Sequence, residues 1–235
     1  MSIADIRRDY RLTGLRRADL DPDPMVQFRR WFDDATGARA AGHVRKFFVR
    51  LYKSLFLLGN TEQLDLNAMT LATVDRTGHP SARVVLLKGI DARGFVFYTN
   101  YNSRKGQELA GNPEAALVFY WADLERQVTV AGTVEQLPAA ESDAYFKSRP
   151  RGSQIAAWAS NQSQSVADRN TLEQNWQQFE RRYAGPEVPR PPHWGGYVLA
   201  PRRVEFWQGR PNRLHDRFCY SRRQDGTWSL ERLSP

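Results

Sequence analysis

Runs of β-branched and aromatic residues, separated by short turn signals, constrain the fold of this chain most strongly. The first group of runs occupies residues 68–75, 82–88, 94–99, 115–121 and 126–134. Gly78, Gly94 and Asn112-Pro113 mark turns between them. A second group occupies residues 196–199, 203–207, 217–221 and 228–232. Too few helical patterns alternate with the strands for a parallel sheet, so the sequence predicts a mainly β barrel with attached helices.

Helical patterns occur between and before these strands. Asp23 stands in an N-cap position with Pro24 in the first turn, which predicts a helix beginning there. Ser103 is a second N-cap candidate. The other helical patterns cover residues 103–110, 139–147 and 167–183.

The sequence before the barrel divides into two parts. Residues 1–20 lack a sustained apolar period and predict a mobile arm. Residues 21–66 form a helical segment that includes a basic amphipathic stretch at about 38–60. This stretch is typical of a helix docked on the core or at a subunit interface, with a membrane-surface helix as the alternative. The barrel domain is predicted over residues 67–235.

Charge and cysteine content narrow the possible partners and the cellular setting. The chain has 34 Lys and Arg against 26 Asp and Glu, a formal charge of +8, which favours phosphates, nucleic acid or a membrane surface. Its one cysteine, Cys219, forms no internal disulfide or zinc pattern, so we expect a cytoplasmic protein without a metal. No apolar run is long enough to span a bilayer. Walker, HExxH and GxSxG motifs are lacking, which disfavours nucleotide and serine hydrolysis.

A strand-to-helix junction is the first candidate for anion binding. Thr99 ends a strand, Ser103 caps the next helix, and Arg104 and Lys105 follow. Free amides of the first helical turn, two hydroxyl groups and two cations all favour an anion. Without one, the two cations face the positive end of the helix dipole unfavourably.

Two other strands carry polar groups that fit either a ligand or a structural role. Arg83 and Lys88 flank an apolar strand and point to opposite faces in extended geometry. A structural role also explains the same pattern, because charged residues at both ends of a buried strand can simply extend into solvent. Gln127 lies within a strand, where its amide needs a partner that a heteroaromatic ring or solvent can provide.

Tyr145, Arg149 and Ser153 recur at intervals of four residues. A phenol, a guanidinium and a hydroxyl group would suit a phosphate. Pro150 and Gly152 argue against one continuous helix, so the spacing alone does not place the three side chains together.

The segment from Arg213 to Arg217 is the third candidate. In extended geometry Arg213, His215 and Arg217 share one face, which places three potential cations side by side. Such a cluster repels itself unless an anion binds there, although a solvated basic edge strand is the alternative.

Taken together, these stretches resemble the FMN-dependent pyridoxamine 5′-phosphate oxidases. The resemblance runs in the family's order from Asn67 to Pro235. The matching stretches are 83–88, 97–100, 103–105, 124–128, 145–155, 158–163, 194–196, 205–209 and 213–217. The resemblance implies an FMN-binding split β-barrel that forms a homodimer, with FMN held in clefts between the subunits.

The resemblance also implies roles for individual residues. FMN would be contacted by Arg83, Val84, Val85, Leu86, Leu87, Lys88, Tyr98, Thr99, Arg104, Lys105, Gln127, Gln162, Ser163, Trp207 and Arg217, with Arg104 and Lys105 at its phosphate. The substrate phosphate would be bound by Lys88, Tyr145, Arg149 and Ser153. The substrate ring would be held by Arg213, Leu214 and His215, with Arg213 and His215 as the catalytic pair. The arm that closes over the substrate would contain Arg7, Arg8, Asp9 and Tyr10.

The implied reaction oxidises pyridoxine or pyridoxamine 5′-phosphate with molecular oxygen. Its products are pyridoxal 5′-phosphate, hydrogen peroxide and, from the amine, ammonia, which places it in vitamin B6 biosynthesis and salvage. The family usually passes quickly from the helix at Trp31 to the strand at Asn67. The stretch at about 38–60 is therefore an insertion, which we expect to dock as an extra helix.

Two other functions compete with this one. A non-catalytic flavin-binding barrel or pyridoxal phosphate carrier would keep Arg104 and Lys105 but would not need Arg213 and His215. A nucleic-acid-binding module would account for the net charge. Here, however, the cations are scattered among acidic residues without an RNA-binding or zinc-finger motif, which argues against nucleic acid as a partner.

Overall fold

A computed structural model describes residues 2–3, 9–10, 12, 14–37 and 66–235. The described helices are α1 (Pro24–Thr36), α2 (Arg104–Gly111), α3 (Ala139–Ser148), α4 (Arg151–Ala159) and α5 (Arg169–Arg182). The described strands are β1 (Ala68–Val74), β2 (Pro80–Leu86), β3 (Gly89–Asp91), β4 (Gly94–Asn100), β5 (Glu114–Trp121), β6 (Arg126–Gln136), β7 (Trp194–Gln208), β8 (Asp216–Arg222) and β9 (Trp228–Leu233). The stretch at about 38–60 lies outside the described residues.

The described strands form one sheet with the mainly β character that the sequence predicts. Seven strands follow the order β2-β1-β5-β6-β7-β4-β3, while β8 pairs with β7 and β9. Strand β7 pairs antiparallel with β4 along its first half and with β8 along its second half. No helix in the described ranges is long and apolar enough to cross a membrane.

The chain divides into two compact units, each with its own core. The first unit comprises Met1–Thr70, Leu117–Ala131 and Arg202–Pro235. In it, Phe28 of α1 packs edge-on against Phe119, with ring centroids 4.8 Å apart. Trp31 packs in the same way against Phe206 at 5.1 Å. All four rings are at most 3% exposed, and each contributes roughly 1.5–3 kcal/mol by its burial.

The second unit comprises Leu71–Ala116 and Gly132–Pro201. Its helices α3 and α4 contribute Phe146 and Ile155 to a core cluster with Val188 and Trp194. This cluster fixes α3 and α4 against the start of β7, and the aromatic part of the candidate site is built on it.

Local sequence signals explain where the helices begin. The Asp23 carboxylate accepts the Met25 N–H at 2.8 Å, and Pro24 occupies the first turn of α1, as predicted. Ser103 caps α2, also as predicted, since its hydroxyl oxygen accepts the Gly106 N–H at 3.3 Å. A Cβ atom at Gly106 would lie 2.2 Å from the Tyr101 carbonyl oxygen, so only glycine allows this tight entry into the helix.

The structure corrects the predicted strands around Pro201 and shows which element follows Pro150. The predicted strands at 196–199 and 203–207 are one strand, β7, despite Pro201. The pairing of β7 with β4 ends at Leu199 and its pairing with β8 begins at Arg203, so the missing N–H of Pro201 lies between the two ladders. The sequence argues against one continuous helix over residues 145–153, and α3 does end before Pro150. A second helix, α4, follows at once, because Pro150 ends one helix and pre-sets the backbone for the next.

Candidate active site

Lys105 is the centre of a polar cluster at the start of α2, in the second unit. Its Nζ lies 3.0 Å from Gln162 Oε1, 3.2 Å from Thr99 Oγ1 and 3.4 Å from Ser103 Oγ. Burial lowers the pKa of the Lys105 ammonium group, and nearby Arg83 lowers it further. The structure therefore brings Gln162, which is 57 residues from Lys105 in sequence, together with Thr99 and Lys105.

A buried carboxylate, that of Glu108, lies one helical turn beyond Arg104. Glu108 Oε2 accepts hydrogen bonds from Thr73 Oγ1 at 2.5 Å, Ser81 Oγ at 2.6 Å and Arg83 Nη2 at 3.1 Å. Its Oε1 accepts one from Arg104 Nε at 2.8 Å. Burial raises the pKa of Glu108, but the hydrogen bonds outweigh it and hold the value at about 2. Glu108 was not predicted as a site residue, although its spacing of four from Arg104 on a helix is a recognisable signal.

The two arginines beside Glu108 differ in how far the protein uses their nitrogens. Arg83 donates from both terminal nitrogens, to the Leu71 carbonyl, to two hydroxyl groups and to Glu108. Arg104 is 64% exposed and donates only from Nε to a described residue. Its remaining N–H groups, the buried Lys105 and the first-turn amides of α2 make this helix end suitable for an anion.

A stack of aromatic rings and a buried guanidinium group form a second site in the same unit. Tyr98 stacks on Tyr145 with ring centroids 3.8 Å apart and on Trp194 at 5.5 Å. The Arg149 guanidinium lies 4.5 Å from the Trp194 ring centre. Within the described chain, Arg149 Nη1 is buried without a hydrogen-bond partner, and burial lowers the pKa of the group. Buried unpaired donors are rare, so this nitrogen points to a missing acceptor.

Ser153 and Lys88 also lie in the second unit, but among the described residues neither is hydrogen-bonded to Arg149. The Ser153 N–H donates to the Pro150 carbonyl at 2.8 Å at the start of α4. The Lys88 side chain is exposed, while its N–H donates to the Val96 carbonyl at 2.8 Å. The phosphate site predicted from these residues and Tyr145 is therefore best defined at Arg149.

The remaining predicted cofactor residues of the second unit differ in exposure. Val84 is 68% exposed and Leu87 is buried, with Val85 and Leu86 between these extremes. Ser163 is exposed and adopts a φ of 71°, a left-handed conformation in the turn that follows Gln162.

In the first unit, His215 lies in an aromatic group with Tyr10 and Trp207. The ring centroids of His215 and Trp207 are 4.7 Å apart, and Tyr10 packs edge-on against both rings at 5.5 Å. His215 Nδ1 accepts the Arg210 N–H at 3.1 Å, which leaves Nε2 to carry the proton of the neutral ring. Burial lowers the pKa of His215, and the positive charge of Arg213 adds to the effect.

The extended geometry predicted for residues 213–217 was wrong. Pro211–Arg213 forms a 3-10 turn in which Asn212 and Arg213 have φ values of 57° and 61°, and β8 begins only at Asp216. Arg213 therefore does not share a strand face with His215 and Arg217. Pro211 and Asn212 are typical turn residues, and Asn tolerates the left-handed region, so the sequence did contain the signal. Arg213 and Leu214 are both exposed on this turn.

Arg217 and Gln127, two further residues predicted to contact FMN, already have partners within the first unit. Arg217 Nε donates to Glu205 Oε1 at 2.8 Å, and this carboxylate raises the pKa of Arg217. Trp207 lies opposite Arg217 in the pairing of β7 with β8. Gln127 Nε2 donates to Thr129 Oγ1 at 3.3 Å.

Two carboxylates hold the described part of the N-terminal arm. Glu125 Oε2 accepts the Leu12 N–H at 3.1 Å, and Asp216 Oδ2 accepts the Leu15 N–H at 3.0 Å. Neither carboxylate was predicted, because their partners are backbone groups more than 100 residues away, which no local pattern reveals. Of the predicted arm residues, Asp9 is exposed and Tyr10 is half-buried, whereas Arg7 and Arg8 lie outside the described residues.

The described ranges contain no group of His, Cys, Asp and Glu side chains that could hold a metal ion. The site chemistry of the described residues is thus that of cations, hydroxyl groups and aromatic rings. Such a set is suited to binding planar, phosphorylated molecules.

Comparison with known proteins defines the class of this protein and then its family. Its fold is that of the FMN-binding split barrels, shared with a pyridoxamine 5′-phosphate oxidase-related, FMN binding protein from Nostoc punctiforme. That structure has a TM-score of 0.61 and 17% identity, and the match covers 83% of this chain and 99% of the other. Residues 61–207 match the pyridoxamine 5′-phosphate oxidase family, and residues 194–235 match the pyridoxine 5′-phosphate oxidase C-terminal dimerisation region. The chain belongs to the pyridoxamine 5′-phosphate oxidase family.

Curated relatives match over the full length. A pyridoxine/pyridoxamine 5′-phosphate oxidase from Cyanothece sp. is 54% identical, with 100% of this chain and 99% of the relative covered. A protein of the same name from Ralstonia nicotianae is 55% identical with the same coverage. Among solved structures, PhzG from Burkholderia lata, in complex with tetrahydrophenazine-1-carboxylic acid, has a TM-score of 0.80 and 28% identity. That match covers 97% of this chain and 100% of PhzG.

Proposed function

We propose that this protein binds FMN and uses molecular oxygen to oxidise pyridoxine and pyridoxamine 5′-phosphate to pyridoxal 5′-phosphate. Hydrogen peroxide is released in both cases, and the amine substrate also consumes one water molecule and releases ammonia. The names of relatives more than 50% identical over the whole chain support this activity. The observation that carries the proposal is a pair of separate cationic sites in one unit, at Lys105 and at Arg149. A phosphorylated cofactor and a phosphorylated substrate need two such sites.

The start of α2 fits the FMN phosphate. Its donors are the Lys105 ammonium group, the outer nitrogens of Arg104 and the first-turn amides, and a dianion suits all three. Lys105 has a lowered pKa because it is buried, and a bound phosphate would restore its preference for the charged form. The other FMN contacts in the proposal are those implied by the family resemblance, including Gln127, Trp207 and Arg217.

Arg149 fits the substrate phosphate. A phosphate oxygen would satisfy its buried Nη1, and the neighbouring Tyr145 would add a hydroxyl donor. The rings of Phe146 and Trp194 lie against the guanidinium, and its burial away from water strengthens its attraction for an anion. Ser153 and Lys88 complete this site in the proposal.

Arg213 and His215 orient the substrate ring in the proposed mechanism. Bound FMN supplies the acceptor for the hydride that leaves the substrate's C4′ carbon. His215 presents its Nε2–H, since Nδ1 is held by the Arg210 N–H, and Tyr10 and Trp207 fix the plane of the imidazole. Arg213 adds a positive charge beside it. The contribution of the protein is thus mainly alignment and electrostatics.

The proposed organisation follows the same family pattern. Residues 1–20 act as an arm over the substrate, and residues 67–235 form the split-barrel domain of a homodimer. The match of residues 194–235 to a dimerisation region supports the dimer. The Leu12 and Leu15 amides held by Glu125 and Asp216, with Tyr10 beside His215, support the placement of the arm.

Purified protein provides the test. We expect a yellow protein, or one that turns yellow with added FMN, which consumes oxygen when given pyridoxine 5′-phosphate. Unphosphorylated pyridoxine is the matched control and should support far less oxygen uptake. A protein that binds FMN but consumes no oxygen would be a flavin-binding carrier, and one that binds no FMN would contradict the whole proposal.

A further inference from the structure

Glu108 occupies an unusual position for a carboxylate, in the middle of a short helix and only 6% exposed. Four donors surround its two oxygens: the Thr73 and Ser81 hydroxyls, Arg83 and Arg104. A buried carboxylate with this many partners stays ionised, in agreement with its pKa of about 2. Glu108 is therefore a fixed negative charge within a cationic site.

The contacts of Glu108 restrict the side chains of two arginines. Arg104 is 64% exposed, and its Nε–H bond to Glu108 is the contact that fixes its guanidinium among the described residues. Arg83 is held from both sides, by Glu108 and by the hydroxyls of Thr73 and Ser81. An arginine loses considerable rotamer entropy when it binds a ligand, and fixing it beforehand removes that cost from the binding step.

Glu108 also sets the charge of the site. Arg83, Arg104 and Lys105 carry three positive charges, and the negative charge of the Glu108 carboxylate reduces the net charge of the cluster to +2. A phosphate monoester carries close to two negative charges at pH 7. The cluster is therefore matched to a phosphate dianion, and Glu108 accepts from Nε of Arg104, which leaves the terminal nitrogens of Arg104 to serve the ligand.

We propose that Glu108 is a positioning residue for FMN, whose buried carboxylate holds Arg83 and Arg104 in the geometry that binds the phosphate. The inference rests on the proposed function, because it assumes that FMN is the ligand at the start of α2. It assigns to Glu108 no contact with FMN, only control of the groups that make contact.

The Glu108→Gln variant tests this role, because glutamine keeps the size and one acceptor oxygen but removes the charge. We expect the dissociation constant for FMN, measured by flavin fluorescence, to rise about ten-fold. Riboflavin, which lacks the phosphate, should bind wild type and variant equally. The control Glu173→Gln removes a similar pair, Arg169 with Glu173 at a spacing of four on α5, and should leave FMN affinity unchanged.

The possible results separate positioning from two other roles. If Glu108 only neutralised charge, Glu108→Gln would bind FMN more tightly, because the site would become more positive. If Glu108 only supported the fold, the variant would bind both FMN and riboflavin more weakly, and its melting temperature would be lower. Either result would overturn the proposal.

A milder variant covers the case in which Glu108→Gln does not fold. Thr73→Val keeps the carboxylate but removes one of its hydroxyl donors. It should raise the dissociation constant for FMN a few-fold without changing that for riboflavin. Equal FMN affinity in Thr73→Val and wild type would then overturn the proposal. If wild-type protein binds no FMN at all, the proposed function fails first, so the two failures remain distinguishable.

Discussion

The candidate binding region of the second unit and that of the first unit are built in different ways. At the start of α2, the ligand-binding groups belong to a helix and two strands, and their side chains bind one another through buried hydrogen bonds. The segment from Gly209 to Asp216 is a turn with two left-handed residues, held by contacts to Tyr10 and Trp207. The first arrangement favours fixed binding of a resident cofactor. The second leaves Arg213 exposed, where it can meet a substrate that enters and leaves.

Replacing Lys105 should have the largest effect. Lys105→Met removes a buried ammonium group and leaves the oxygens of Thr99, Ser103 and Gln162 without their donor. Loss of such a buried charged partner costs about 2–5 kcal/mol, so FMN affinity should fall by between about 30-fold and about 3,000-fold. Fluorescence titration measures this, and Lys147→Met, at an exposed position on α3, is the control. An unchanged affinity would show that the start of α2 is not the phosphate site.

Arg149→Leu should have the next largest effect, and on the substrate instead of the cofactor. The change removes the buried guanidinium, so kcat/KM for pyridoxine 5′-phosphate should fall about 30-fold, as for loss of a charged hydrogen bond. FMN affinity should stay the same. Steady-state oxygen uptake provides the measurement, with Arg182→Leu on the exposed face of α5 as the control. Weaker FMN binding in Arg149→Leu would mean that the two phosphate sites are assigned the wrong way round.

Arg213→Leu tests the turn. We expect FMN to remain bound while turnover slows about ten-fold, since the substrate loses an aligning group. Arg213→Gly should slow turnover equally, although glycine relieves the left-handed strain of about 1 kcal/mol at this position. Wild-type turnover in either variant would refute the role of Arg213. Arg223→Leu, in the turn after β8, serves as the control.

The smallest expected effect concerns the protonation of His215. Burial and the Arg213 charge both lower the pKa of His215. The ring is therefore mostly neutral at a pH equal to the ordinary pKa of histidine. Removing the positive charge in Arg213→Leu favours the imidazolium, so the pKa of His215 should rise in that variant. An NMR titration of the His215 ring measures the shift. A pKa that stays the same or falls would show that Arg213 does not act on this ring.

The same contrast explains what could be predicted from the sequence. The α2 site depends on local signals, an N-cap at Ser103 and two cations in the first turn, and the structure contains that helix as predicted. The family resemblance identified Arg213 and His215, but alternation along a strand gave the wrong geometry because Pro211 and Asn212 form a turn. Glu125 and Asp216 act through partners distant in sequence, which no spacing rule detects. Of the contacts of Glu108, only the one with Arg104 follows a spacing rule, since Thr73, Ser81 and Arg83 are distant in sequence.

A crystal structure with FMN and pyridoxal 5′-phosphate bound would test the division of labour between the two anion sites most directly. We predict the FMN phosphate within hydrogen-bonding distance of Lys105 Nζ and Arg104. The product phosphate should lie at Arg149 Nη1, with its ring beside Arg213 and His215. An FMN phosphate bound away from α2, or a product phosphate that leaves Arg149 Nη1 unpaired, would contradict this account.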